Sequence, residues 1–275
     1  MSTTDSTPVY DSSLRGFPAL YELRELLRYK NLVYQIIRRN IVTRYKRSVL
    51  GIAWTMLNPL GTTIILAIVF SRVFGTTPGY AAYVLSGLIA WTFFAQTTSD
   101  SMSNLIWGGG LLQRIYIPRT VFAVSSIGTG LVNLGLSLIP LLIVLLVMNI
   151  PLNWSALLLP ISIILLAMFS LGVGLFLSSV AINFTDVAEM YNILLTAWMY
   201  LSPIIYTEDL LPPEFVWLIR LNPMYYLINL FRAPIYEGRV PSLTEFLLSG
   251  SISLIALLAG WLYFSHKADE FAYRV

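Results

Sequence analysis

The stretch from residue 121 to residue 147 reads VFAVSSIGTGLVNLGLSLIPLLIVLLV and contains no charged side chain. A helix needs about 20 apolar residues to cross the hydrocarbon core of a bilayer, and this stretch is longer than that. Hydrocarbon offers the backbone no hydrogen-bond partner, so a segment that crosses it forms a helix. The stretch therefore predicts a membrane-spanning helix with enough length to tilt.

Further stretches of the same apolar character bring the expected number of spans to six. Hydrophobic residues make up 57% of the 275 positions and charged residues only 11%, whereas a soluble domain carries roughly 25% charged residues. We expect an all-α, polytopic membrane protein whose six-span domain covers residues 56–265. The predicted spans are 56–73, 83–103, 121–147, 156–182, 190–206 and 246–264.

Basic residues are distributed unequally between the two sides of these spans. Most of the 17 lysines and arginines lie in the N-terminal segment 1–55, in the connection after the second span, or in the tail 266–275. Cytoplasmic segments carry an excess of lysine and arginine. An even number of spans places both termini on one side, and we expect that side to be cytoplasmic. The exceptions are Arg72, Arg220, Arg232 and Arg239.

The segment 31–48 has apolar residues at helical spacing with basic residues between them, which predicts an amphipathic helix at the membrane interface. Its charges have two interpretations. They enforce the membrane topology, or they bind an anionic lipid head group, because arginine grips phosphate with paired donors and lysine offers a mobile charge. The candidate head-group residues, which we call the basic segment, are Arg44, Tyr45, Lys46 and Arg47.

The connection 207–245, here called the outer loop, interleaves apolar and aromatic residues with prolines and is too apolar to stand free in water. Because proline suits the first turn of a helix, we expect Pro212-Pro213 to open a short helix over 212–220. Asn222-Pro223 ends it, and a second short helix is expected over 224–236. They form either an interfacial cap or a pair of re-entrant helices that closes an extracytoplasmic gate. The candidate gate residues are Pro212, Pro213, Asn222, Pro223, Tyr225 and Tyr226.

The sequence lacks the residue patterns of common catalytic and metal sites. There is no cysteine, and the only histidine, His266, has no histidine partner, so we expect no metal site, catalytic residue or bound cofactor. No GxxxxGK[ST] loop occurs, so we expect that the chain cannot hydrolyse ATP alone. The polar residues 1–11 predict no cleavable signal peptide. Asp100 is the only acidic residue inside a predicted span, and it lies towards the end of that span. Ion-coupled carriers usually have charged residues near the middle of the membrane, so this scarcity disfavours such a carrier.

Two further patterns lie inside the predicted spans. Small residues stand four apart in spans three and four, as at Ser126 and Gly130 or Ser170 and Gly174, a spacing that lets helices approach closely. Aromatic residues concentrate in spans two and five, where they either form interface belts or line a conduit for sugar rings. These aromatics are Trp91, Phe93, Phe94, Tyr191, Trp198, Tyr200 and Tyr206.

Four motifs together resemble the ABC-2 type permeases that export O-antigen, capsule and teichoic acid polysaccharides. Residues 44–54, RYKRSVLGIAW, followed by Asn58-Pro59, look like the family's segment before the first span. Residues 111–119, LLQRIYIPR, are similar to its coupling segment. The remaining matches are SPIIY at 202–206 and LNPM at 221–224.

The resemblance implies a homodimer of six-helix subunits in the inner membrane, joined by two copies of a P-loop ATPase. It implies a polyprenyl-pyrophosphate-linked polysaccharide as substrate and no nucleic-acid partner. It makes the basic segment the receptor of the lipid pyrophosphate and the outer loop the gate. The residues expected to couple to the ATPase are Gln113, Arg114, Ile115, Tyr116, Pro118 and Arg119.

Three alternatives remain open at this point. A same-fold exporter of drugs or small lipids needs neither a basic segment nor a broad aromatic conduit. An ion-coupled carrier differs in its energy source. An intramembrane transferase is disfavoured because the sequence has no paired acids or histidine-based constellation.

Overall fold

A computed structural model describes residues 18–46, 48–70, 79–107, 118–184 and 186–267. Within these ranges the chain forms helices and turns and contains no strand, and a helix pairs its backbone groups within its own segment, as hydrocarbon surroundings require. The α-helices in these ranges are α1 Pro18–Arg28, α2 Lys30–Tyr45, α3 Ala53–Phe70, α4 Tyr80–Trp107, α5 Thr120–Val147, α6 Leu159–Ala181, α7 Val187–Tyr200, α8 Val216–Arg220, α9 Pro223–Ile235 and α10 Leu243–Lys267.

Four helices in the described ranges are long and apolar enough to cross a membrane. They are α3, α5, α10 and α6 together with the 3-10 turn Trp154–Leu158 that leads into it. They occupy the predicted spans 56–73, 121–147, 156–182 and 246–264, the first of which is described as far as residue 70. The fold is thus that of a polytopic helical membrane protein, and α4 and α7 occupy the remaining two predicted positions.

Helix α4 is the central element of the fold and packs against α3, α5, α6, α7 and α9. Most side chains of its first half are buried, with Val84, Leu85 and Phe94 at 0% exposure, while Thr92 is exposed. In the polar second half, the Thr97 and Thr98 hydroxyls donate to carbonyls four residues earlier in the same helix. Hydroxyls satisfied in this way can be carried inside an apolar bundle.

Helix α7 corrects one prediction. The fifth span was predicted as one helix over 190–206, but the helix ends at Tyr200 and residues 201–206 form turns. Pro203 is the physical reason, because proline has no N–H to donate and disfavours helical backbone at the residue before it. The carbonyls of 203–206 are consequently available to side chains of other helices.

The helix predicted over 31–48 corresponds to α2, which ends three residues earlier, at Tyr45; its position at a membrane interface stays a prediction. Its apolar face turns inward, with Ile36 buried among residues that include Phe122 and Phe264, while Arg38 and Arg39 are exposed. The apolar face packs along α5. The helix is therefore held by the bundle as well as by any lipid surface.

Small residues mark where helices approach most closely, as predicted. A Cβ added at Gly130 of α5 would lie 2.1 Å from Thr97 of α4. The tightest backbone approach described was not predicted: Gly172 of α6 and Gly260 of α10 bring the two backbones together, and a Cβ at Gly260 would lie 1.9 Å from the Gly172 carbonyl oxygen.

Candidate functional site

The basic segment connects α2 to α3. Helix α2 ends as Lys46 adopts extended backbone, with ψ 128°, and the Ser48 hydroxyl accepts a hydrogen bond of 3.1 Å from the Gly51 N–H. The side chains of Arg44 and Lys46 are exposed. Arg47 and the side chain of Tyr45 lie outside the described part of the structure.

The end of α2 lies part of the way along α5 rather than at its end. The Arg44 guanidinium donates to the Gln96 amide when the amide oxygen is turned towards it, at 2.6 Å for one contact. The next residue, Thr97, lies against Gly130 of α5. Gly130 is ten residues beyond Thr120, where α5 begins, so Arg44 stands about 15 Å along the α5 axis.

A cavity of 430 Å³ opens beside Arg44, between α3, α4 and α5. Its volume falls within the roughly 300–1,000 Å³ of small-ligand sites. Helix α3 starts at the level of the middle of α5, where the Ser137 hydroxyl donates to the Thr55 carbonyl at 3.4 Å. The lining residues are Arg44, Ser48, Trp54, Thr55, Asn58, Pro59, Ile89, Thr92, Phe93, Gln96, Gly130, Asn133, Leu134 and Ser137.

The lining is mainly neutral and polar. Amides and hydroxyls predominate, Trp54 and Phe93 supply aromatic surface, and Arg44 is the single cation among the lining residues. The lining contains no carboxylate, although Asp100, one helical turn beyond Gln96, lies within electrostatic reach of Arg44. The cavity therefore has a cationic end and a neutral, hydrogen-bonding body.

Three of the predicted conduit aromatics pack against one another inside the bundle. The Phe94 ring lies 5.1 Å from Trp198 and 5.6 Å from Trp91, centroid to centroid. Phe169 of α6 stacks on Phe94 at 5.4 Å. These edge-on and offset contacts are the favoured arrangements of aromatic rings. These ring contacts pack α4, α6 and α7 against one another.

The other four aromatics are placed differently. Tyr191 is buried and its hydroxyl shares a 2.7 Å hydrogen bond with that of Thr98. Phe93 lines the cavity. Tyr200 is 62% exposed, and its carbonyl accepts a 2.9 Å hydrogen bond from the Tyr206 hydroxyl. That these aromatics line a conduit remains a prediction. A side chain that lines a conduit must be exposed, and Tyr200 is.

The outer loop contains the two predicted helices. A 3-10 turn, Pro213–Phe215, leads directly into α8, and Pro212 lies just before it. Asn222 then caps α9: its side-chain oxygen accepts from the Met224 N–H at 2.9 Å and from the Trp198 indole at 2.7 Å. Pro223 occupies the first turn of α9, a position that suits proline, so this helix begins one residue before the predicted 224.

Helix α9 is much more deeply buried than α8. Its side chains from Leu230 to Ile235 are all buried, and its carbonyls accept hydrogen bonds from neighbouring helices, including Ser162 to Leu230 at 2.9 Å. Helices α4, α6 and α10 enclose it. The apolar composition of the outer loop is thus explained by burial of its second helix inside the bundle.

The exposed part of the outer loop is held by an ionic cluster. Arg220 donates to Glu208 at 2.8 and 3.1 Å, and the Tyr225 hydroxyl donates to the same carboxylate. The Tyr225 hydrogen bond, and after it the contact with Arg220, hold the pKa of the Glu208 carboxyl below its usual value. The Tyr226 hydroxyl donates to the Arg220 carbonyl at 2.8 Å. The loop is therefore ordered by its own side chains.

Arg232 of α9 was not recognised from the sequence as a site residue. It is 1% exposed and donates to the carbonyls of Pro203 at 2.6 Å and of Tyr83 and Ile204 at 3.2 Å each. Its guanidinium lies 3.7 Å from the centre of the Tyr83 ring, a cation–π contact. Gly87 provides the space, since a Cβ there would lie 2.3 Å from the guanidinium.

Two tyrosines complete this buried cluster. The Tyr83 hydroxyl donates to the carbonyls of Pro203 at 3.0 Å and Tyr206 at 2.8 Å, and the Tyr80 hydroxyl donates to Ile205 at 2.8 Å. The carbonyls exposed by the break at Pro203 are thus satisfied by α4 and α9. The cluster joins the outer loop to the central helix.

The predicted coupling segment falls mostly outside the described structure, namely at Gln113, Arg114, Ile115 and Tyr116. Pro118 is buried, and its carbonyl accepts from the Val121 N–H at 3.1 Å. Arg119 stands directly before α5. The next residue, Thr120, donates to Glu22 of α1 at 3.0 Å. Coupling to an ATPase therefore remains a prediction from the sequence.

The apolar bundle and its polar cavity define a helical membrane protein with a site between its helices. The sequence profile of the ABC-2 type transporter family matches residues 31–236. This match covers most of the chain, so the chain belongs to the ABC-2 type transporter family.

Several named proteins align with most of the length of this chain. The O-antigen export system permease protein RfbA of Myxococcus xanthus is 28% identical over 254 residues, covering 91% of this chain and 97% of that protein. The capsule polysaccharide export inner-membrane protein CtrC of Neisseria meningitidis is 23% identical over 79% of this chain and 84% of its own length. The polysialic acid transport protein KpsM of Escherichia coli is 23% identical, with coverages of 84% and 91%.

Proposed function

We propose that this chain is the membrane subunit of an ATP-binding cassette exporter that moves a polyprenyl-pyrophosphate-linked polysaccharide across the inner membrane. The observation that carries the proposal is the end-to-end similarity to a permease named for O-antigen export. Similarity to proteins named for capsule polysaccharide export and polysialic acid transport supports the same substrate class. ATP and Mg are then held by a separate subunit.

The assembly we infer is a homodimer joined to two ATPase subunits. Helix α4, and helix α7 together with the turns that follow it to residue 206, complete six spans, with both termini in the cytoplasm. The segment 111–119 docks into the ATPase and transmits its closure to the spans. Helices α3, α4 and α7 of both copies enclose the conduit, lined by exposed aromatics such as Tyr200. Helices α8 and α9 form the extracytoplasmic gate.

The basic segment receives the lipid pyrophosphate in this mechanism. Arg44 and Lys46 are exposed, and a guanidinium can bind two phosphate oxygens at once. In the structure Arg44 is engaged by the Gln96 amide, a neutral partner that an anionic phosphate displaces readily. The position of Arg44 part of the way along α5 suits a head group that enters sideways from the inner leaflet.

Neutralising the basic segment tests this role. The triple variant Arg44→Gln, Lys46→Gln and Arg47→Gln is expected to lower polymer export at least tenfold while the protein accumulates normally. Each charge-assisted hydrogen bond contributes about 1.5–3 kcal/mol, and about 1.4 kcal/mol corresponds to a tenfold change. Export is measured as polymer on the cell surface, and accumulation by immunoblot of isolated membranes.

A charge-matched control distinguishes head-group binding from topology. Lys30, Arg38 and Arg39 are exposed on the same helix, so replacing all three with glutamine removes as much charge without touching the cavity. We expect this control to export normally. Equal losses in both variants would mean that the charges serve only orientation, and unchanged export in the first variant would contradict a head-group role.

The energy source separates this function from an ion-coupled carrier. Export is expected to stop when cellular ATP is depleted at constant membrane potential, because ATP binding by the partner drives the cycle. It is expected to continue when a proton ionophore is added and ATP is maintained. The opposite pattern would contradict the proposed class.

A further inference from the structure

The cavity between α3, α4 and α5 contains polar groups that the basic segment does not account for. Asn58 and Thr92 line it with exposed side chains, and Gln96, Asn133 and Ser137 line the remainder. Asn58, Thr92, Asn133 and Ser137 each stand between two apolar neighbours in the sequence. Polar side chains inside a membrane are costly unless they face a partner or a polar cavity, and they therefore mark functional sites.

The chemistry of the lining selects its ligand. Phosphate only accepts hydrogen bonds and favours cations, which here occur at the Arg44 end alone. Amides and hydroxyls both donate and accept, as do the hydroxyls of a sugar. The neutral body of the cavity, bordered by the indole of Trp54 and the ring of Phe93, therefore matches a sugar ring. A bound cation is disfavoured because the described lining has no carboxylate.

We propose that this cavity is a subsite for the sugar attached to the lipid pyrophosphate. The pyrophosphate lies at Arg44, and the first sugar ring enters the neutral body, where Asn58, Thr92 and Asn133 hydrogen-bond its hydroxyls. This inference rests on the proposed function and adds a specificity element to it. The site distinguishes a sugar-bearing lipid from a bare polyprenyl pyrophosphate before transport begins.

Binding to two lipid probes tests the subsite. The full chain is placed in lipid nanodiscs and titrated with polyprenyl pyrophosphate and with polyprenyl pyrophosphate carrying one N-acetylhexosamine. The double variant Asn58→Leu and Thr92→Val removes two polar groups with little change in size. It is expected to weaken binding of the sugar-bearing probe about tenfold, as the loss of one or two hydrogen bonds implies, and to leave the bare probe unaffected.

Matched controls interpret the result. Thr62→Val and Thr244→Val remove exposed hydroxyls outside the cavity lining and are expected to leave both affinities unchanged. Arg44→Gln is expected to weaken both probes equally. If the double variant weakens both probes equally, the cavity holds pyrophosphate and the sugar subsite is overturned.

Two further outcomes distinguish a failure of the sugar subsite from a failure of the proposed function. If the double variant changes neither affinity while Arg44→Gln weakens both, the subsite is overturned and the pyrophosphate role stands. If the unmodified chain binds neither probe, the proposed function fails, and the subsite fails with it.

Discussion

Replacing Arg232 with methionine is expected to lower the unfolding temperature sharply and to stop export. The guanidinium satisfies three buried carbonyls, those of Pro203, Tyr83 and Ile204. Methionine fills similar space but donates nothing, so three hydrogen bonds from a charged donor are lost, each worth about 1.5–3 kcal/mol. The total is a large fraction of the roughly 5–15 kcal/mol by which folded proteins are stable.

The measurement is thermal unfolding of purified protein in detergent, with export in parallel. Arg39→Met serves as the control, because Arg39 is exposed on α2 and its replacement is expected to change little. Arg232→Lys keeps a positive charge but has a single ammonium group, so an intermediate loss is expected. Equal unfolding temperatures for Arg232→Met and the unmodified chain would contradict the structural role assigned to Arg232.

The second large effect is expected from a single methyl group at Gly260. A Cβ there would lie 1.9 Å from the Gly172 carbonyl oxygen and 2.7 Å from its carbon. Both atoms belong to the backbone of α6, so no side chain can rotate away. Overpacking typically costs about 1–3 kcal/mol, and separating two helix backbones is expected to reach or exceed the upper value. Gly260→Ala should therefore aggregate or unfold early.

Gly250→Ala on the same helix is the matched control. A Cβ at Gly250 has nothing within 4 Å, and alanine is favoured over glycine inside a helix by about 0.5–1 kcal/mol. The control is expected to match or slightly exceed the unmodified chain in unfolding temperature. Size-exclusion profiles and thermal unfolding distinguish the two variants, and identical behaviour would show that α6 and α10 are not in backbone contact.

The sequence predicted the features that depend on solvent and on local backbone chemistry. The run 121–147 could only be a spanning helix, because bilayer hydrocarbon excludes unpaired backbone groups. The apolar face of α2 followed from its helical spacing, since that spacing places the residues in one stripe. The break before α9 followed from Asn222-Pro223, because proline has no N–H with which to continue the preceding helix.

The sequence identified several residues of the candidate site but not which of them lie next to one another. The basic segment was identified by charge and by resemblance, but its position beside Gln96 depends on how α2 packs along α5. The aromatics were noted, but neighbours along the chain do not show that Phe94 and Trp198 face each other. The end of α7 at Tyr200 was not predicted, although Pro203 lies inside the predicted span 190–206.

Arg232 shows most clearly what only the tertiary structure decided. By sequence it is one of a few basic residues in a connection between spans, and charge statistics place it in water. In the structure it is buried against Tyr83 and Pro203, which lie 149 and 29 residues away in the chain. Composition and periodicity determine the solvent that each segment requires. The partners of a buried polar group depend on which helices meet, and that is decided by packing across the whole chain.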